Sequence, residues 1–146
     1  MDRVPRIVVG VDGSPSSRAA LRWAVRYAGL VGGRVEAVSA WEVAGMASWS
    51  APAVDTEFDE SEAERGLVEE VRAVLGEDGG SLVHERLVRG NAAEVLVDAA
   101  EGAEMLVVGS RGHGGFRRAL LGSVSQQVAH HAPCPVTIIR PDVPVE

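Results

Sequence analysis

The chain has 146 residues, 46% of them hydrophobic, with a formal net charge of −7; that is enough apolar material for one compact domain and argues against disorder. The acidic balance argues against non-specific nucleic-acid binding, and the lone Cys134 excludes an internal disulfide and a thiolate zinc cluster. No stretch approaches the roughly 18 apolar residues that span a bilayer, and no secretory pattern precedes the first strand, so a cytoplasmic setting is expected. The first element is the β-branched run Ile7 to Val11, of the kind buried on both faces of a parallel sheet. Ser14-Pro15 predicts a helix cap with proline at the first helical position. Ala20, Leu21, Ala24, Val25 and Ala28 then recur at the spacing of a helix with one buried face, until Gly32-Gly33 ends it. Val35 to Ala40 is the second strand, and a loop runs from Trp41 to Asp55. Thr56 is the next expected cap, with Glu57, Asp59 and Glu60 in a favourable acidic first turn. Leu67, Val68, Val71, Val74 and Leu75 carry that helix to Gly76. Leu82 to Val88 reads as a third strand, with a less regular alternation than the others. Asn91 caps a short helix with Val95, Leu96 and Ala99 inward. Met105 to Val108 is strand four, Gly122 to His131 the last helix, and Val136 to Ile139 strand five. Such alternation requires an α/β fold, a mostly parallel open sheet with helices on both faces, and residues 1–146 read as one domain.

The chemistry concentrates between strand four and the last helix. Gly109-Ser110-Arg111-Gly112 is followed, after nine intervening residues, by Gly122-Ser123-Val124-Ser125. Glycine lets backbone N–H groups approach an anion without a Cβ in the way, and a helix N-terminus carries partial positive charge. The pattern predicts phosphate binding, in a nucleotide. Arg111, Arg117 and Arg118 add a local basic cluster to an acidic chain. No G-x-x-x-x-G-K-[ST] loop is present, and the first turn reads Gly10-Val11-Asp12-Gly13 rather than G-x-G-x-x-G, which argues against phosphate-loop NTPases and dinucleotide enzymes. Nothing pairs a nucleophile with an oriented base, and His84, His130 and His131 lack metal-ligand spacing.

The spacing glycine, two residues, glycine, nine residues, glycine and serine resembles the signature of the universal stress protein family. Arg6-Ile7-Val8-Val9-Gly10-Val11-Asp12-Gly13-Ser14 is similar to that family's first strand and turn, and Pro133-Cys134-Pro135-Val136-Thr137-Ile138-Ile139 to its closing strand. The resemblance covers essentially the whole chain. It implies a Rossmann-like sheet of order 3-2-1-4-5, whose ligand crevice opens beyond the ends of strands one and four, where Asp12 and Gly109 stand. It also implies an ATP site. Gly109, Arg111, Gly112, Gly122, Ser123, Val124 and Ser125 would hold ribose and phosphates, and Val11, Asp12 and Ala40 would border the adenine. Asp12 would touch the nucleoside or a phosphate-bound metal, and Mg²⁺ would be bridged mainly by the phosphates. The implied function is a nucleotide-dependent stress-response sensor with at most slow hydrolysis, acting as a homodimer through strand five and on an unidentified protein partner. Two alternatives stay open: an interaction module of the same family that binds no nucleotide, and an adenine-nucleotide α-hydrolase-type enzyme. The Trp41 to Asp55 loop is expected to form a lid, with Trp41 close to the base and Trp49 over the outer mouth.

Overall fold

A computed structural model describes residues 4–42, 56–77, 82–111 and 121–141. Strand β1 (Arg6–Gly10) lies at the centre of a five-stranded sheet, parallel to β2 (Arg34–Trp41) on one side and to β4 (Met105–Gly109) on the other. β3 (Val83–Arg89) adds in parallel to β2, and β5 (Val136–Ile139) adds in parallel to β4, giving the order β3-β2-β1-β4-β5. The expected order is therefore the observed one. Four helices join the strands among the described residues: α1 (Pro15–Val31), α2 (Thr56–Leu75), α3 (Ala92–Ala99) and α4 (Ser123–His131).

Both faces of the sheet are buried, which is why β1 and β4 read as unbroken apolar runs. Ile7, Val9, Val35 and Val107 point to one face and pack with Ala20, Leu21 and Ala24 of α1 and Leu67 and Val71 of α2. Val8, Val38, Leu106 and Val108 point to the other and meet Val95, Leu96 and Ala99 of α3 and Val128 of α4. Each large side chain taken fully out of water in this way contributes about 1.5–3 kcal/mol. The irregular alternation of the third strand has a physical reason. β3 is an edge strand, and its His84, Arg86 and Arg89 are exposed.

Local signals set the helix ends. The Ser14 side chain accepts from the Ser17 N–H at 3.3 Å, with Pro15 behind it in the first turn. Gly32 closes α1 at φ 67, a left-handed conformation that glycine adopts without penalty. Asn91 caps α3 by accepting from the N–H groups of Ala93 and Glu94. One buried charge interrupts the apolar strands. Glu36 of β2 is 8% exposed and is held by Arg6 Nε at 3.1 Å and Arg86 Nη1 at 2.7 Å. Arg6 also donates to the carbonyls of Ala99 and Glu101, so one guanidinium ties β1 and β2 to the end of α3.

Candidate functional site

The direction of winding reverses between β1 and β4, and the C-terminal ends of these two strands part there into a crevice. A cavity of about 410 Å³ occupies it, within the size range of small-molecule sites. Of the residues expected at the site, Val11, Asp12, Ala40, Gly109, Arg111, Val124 and Ser125 all line this cavity. Gly122 and Ser123 stand just before them at the start of α4 and are not part of the lining. Gly112 falls outside the described residues, as do Arg117, Arg118 and Trp49.

The crevice is built by the two halves of the glycine–serine motif holding each other. The Ser110 carbonyl accepts from the Gly122 N–H at 2.7 Å and from Ser125 Oγ at 3.0 Å, and that hydroxyl is also 3.0 Å from the Gly122 carbonyl. Ser125 is 2% exposed. Its proton is therefore shared between two backbone acceptors, so the hydroxyl staples the motif together and what Ser125 can donate to a ligand is its backbone N–H. The first intrahelical bond runs from Gln126 N–H to the Gly122 carbonyl, which leaves the N–H groups of Ser123, Val124 and Ser125 without helical partners. α1 and α3 fill the same positions with the side chains of Ser14 and Asn91, whereas Gly122 makes no side-chain cap. Among the described residues, no side chain caps the positive end of α4 beside the cavity.

Gly109 has a packing reason as well as a place in the lining. A Cβ there would lie 2.4 Å from Ser16 Oγ and 2.7 Å from the Ser16 carbonyl carbon and the Ser17 nitrogen. Glycine lets the first turn of α1 press onto the end of β4. Ser16 Oγ completes the join, donating to the Arg111 carbonyl at 2.6 Å and accepting from the Arg111 N–H at 3.3 Å. On the neighbouring strand, Asp12 Oδ1 accepts from Ser14 N–H at 2.8 Å and Ser14 Oγ at 2.5 Å, while the Asp12 N–H donates to Ser17 Oγ at 3.0 Å. Val11 is pinned to β2 through its N–H on the Val38 carbonyl at 2.9 Å. These hydrogen bonds join the ends of β1, β2 and β4 to the first turn of α1.

Trp41 ends β2 but does not line the cavity, and the Arg89 guanidinium lies 5.7 Å from the centre of its ring. One wall was missed by sequence reasoning. Ala63, Gly66, Leu67 and Glu70 of α2 close the cavity on the side of β2. A mid-helix glycine costs about 1 kcal/mol against alanine, and Gly66 was the signal available; a Cβ there would meet nothing within 4 Å, because it faces open space. Among the described residues, no three metal-ligating side chains converge, and no helix is long and apolar enough to cross a membrane.

Comparison with known proteins places this geometry in a family. Residues 4–140 match the sequence profile of the universal stress protein family. A universal stress protein of Mycolicibacterium smegmatis is 37% identical over 142 residues, covering 93% of this chain and 48% of the relative. The chain spans about half the length of the curated relatives it matches. Among solved structures, the universal stress protein UspA from Lactobacillus plantarum superposes with a TM-score of 0.75 at 23% identity, covering 96% of this chain and 100% of that one, a likeness of fold. A universal stress protein in complex with cAMP has a TM-score of 0.64 at 26% identity, covering 97% and 100% of the two chains. The universal stress protein from Archaeoglobus fulgidus in complex with dAMP has a TM-score of 0.66 at 25% identity, covering 95% and 99%.

Proposed function

This chain belongs to the universal stress protein family, and from that premise we propose that its cavity takes an adenine nucleotide, ATP with Mg²⁺, and reports its occupancy as a sensor. The observation that carries this reading is the start of α4, a helix N-terminus capped by glycine and opening beside a crevice that Arg111 also lines. N–H groups without helical partners and the helix dipole favour an anion there, so in this reading the phosphates lie along Ser123, Val124 and Ser125, with Gly112 completing the cradle. The nucleoside extends toward Val11, Asp12 and Ala40. Mg²⁺ rides on the phosphates and keeps most of its waters. Asp12 can offer it only Oδ2, because Oδ1 already accepts two hydrogen bonds from Ser14. The relatives that hold cAMP and dAMP support an adenine ligand; the triphosphate is proposed for this chain.

In the same reading the chain acts in the cytoplasm as one domain, pairs with a second copy along β5, and couples nucleotide occupancy to a protein partner, with hydrolysis at most slow. Native mass spectrometry of the purified protein incubated with MgATP tests the ligand. One ATP mass per chain, unconverted over minutes, is expected. A spectrum of unliganded chain at saturating MgATP contradicts the reading, and rapid appearance of ADP or AMP makes the protein an enzyme instead.

A further inference from the structure

The two flanks of the cavity carry opposite charge. Arg111 follows β4, whereas Glu70 comes from α2, which packs on α1, β2 and β3; β1 and Asp12 lie between them. The Glu70 side chain is only 13% exposed, and Arg18 of α1 holds it, with Nε 3.0 Å from Oε2. Its other oxygen, Oε1, has no protein partner among the described residues. Gly66 and Ala63, four and seven residues before Glu70, lie on the same face of α2 and also line the cavity. A Cβ at Gly66, one turn away on that face, would meet nothing within 4 Å. A carboxylate on the flank away from the cation and the open helix start repels phosphate and accepts hydrogen bonds from N–H or O–H groups.

We propose that Glu70, positioned by Arg18, determines specificity at the nucleoside end of this site: its carboxylate accepts a hydrogen bond from a donor group of the nucleoside and rejects ligands that present an acceptor or a negative charge there. The inference rests on the nucleotide reading above and deepens it. The donor is either the exocyclic amine of the base or a ribose hydroxyl, and the two are separated by the choice of probe. Calorimetric titration of the wild type with AMP, with purine riboside monophosphate, which lacks the amine, and with 2′,3′-dideoxy-AMP, which lacks both hydroxyls, identifies it. The analogue that lacks the donor binds at least about tenfold more weakly, the scale of a hydrogen bond to a charged group.

In Glu70→Ala that preference collapses to under about twofold, because AMP weakens while the analogue does not. Arg18→Ala, which leaves Glu70 in place without its holder, keeps part of the preference. Glu70→Gln preserves the shape and covers the case in which the alanine variant fails to fold; its amide can donate to a 6-oxo group, so it narrows the gap between AMP and IMP if the amine is the donor, and as an uncharged acceptor it narrows the gap between AMP and its dideoxy analogue if the hydroxyls are. Equal affinity of the wild type for AMP and both analogues overturns the inference, as does an unchanged preference in folded Glu70 variants. A wild type that binds none of these nucleotides overturns the nucleotide reading itself, and this inference falls with it.

Discussion

At the scale of single residues, Gly109 carries two demands that the sequence shows as one. Its position in the glycine–serine spacing points to phosphate, yet the sharpest constraint on it is the backbone of Ser16 and Ser17 at 2.7 Å from where a Cβ would sit. Backbone cannot rotate aside as a flexible side chain can, so Gly109→Ala forces β4 and α1 apart. Overpacking of this kind costs about 3 kcal/mol, and in a chain of this size the thermal midpoint should fall by about 10 °C, read by circular dichroism without any ligand. A variant as stable as wild type shows that the contact relaxes at little cost. Cys134 is likewise a packing residue. Burial pushes its thiol above the ordinary range, against smaller opposing effects from a backbone hydrogen bond at Leu106 and the charge of Arg6. A thiol so placed stays protonated at neutral pH and is a poor nucleophile.

At the scale of elements, the central strands were legible because a parallel sheet buried on both faces demands consecutive apolar residues, and Ile7 to Val9 and Leu106 to Val108 supply them. The caps at Ser14 and Asn91 were legible because a side-chain oxygen at a helix start has one dominant use. The role of α2 was not. Its apolar spacing says which face is buried but not that its middle lies along the cavity, where Glu70 meets Arg18 from 52 residues away. Nor does the sequence tell that Trp41 would meet Arg89, because cross-strand partners depend on register between β2 and β3. β5 is the other consequence of strand order. It has one neighbour, β4, and its Val136 and Ile138 remain only partly buried. Such an edge is a template for pairing, and a two-fold axis beside it would cover it with its own copy. Sedimentation velocity at micromolar concentration should therefore show a dimer, and Ile138→Lys a folded monomer, with far-UV circular dichroism as the check because Ile138 also packs against its own core. Wild type sedimenting as a monomer contradicts the dimer.

At the scale of the whole molecule, the fold brings to one crevice residues spread from Gly10 to Ser125. The sheet order does this by placing the ends of β1 and β4 side by side where the winding reverses. Arg111 and the N-terminus of α4 border the cavity on one flank and Glu70 of α2 on the other. The central claim is that this crevice binds an adenine nucleotide through the open start of α4. The most direct measurement is calorimetric titration of MgATP into the wild type and into Gly122→Val. Gly122 has φ −75 and ψ 170, extended backbone that valine also adopts, so the variant should fold while its branched side chain fills the space beside the phosphates. One ATP per chain in the wild type, and a loss of at least about a hundredfold in affinity in a folded Gly122→Val, is the predicted result. Equal affinity in the two proteins, or no binding in the wild type, contradicts it.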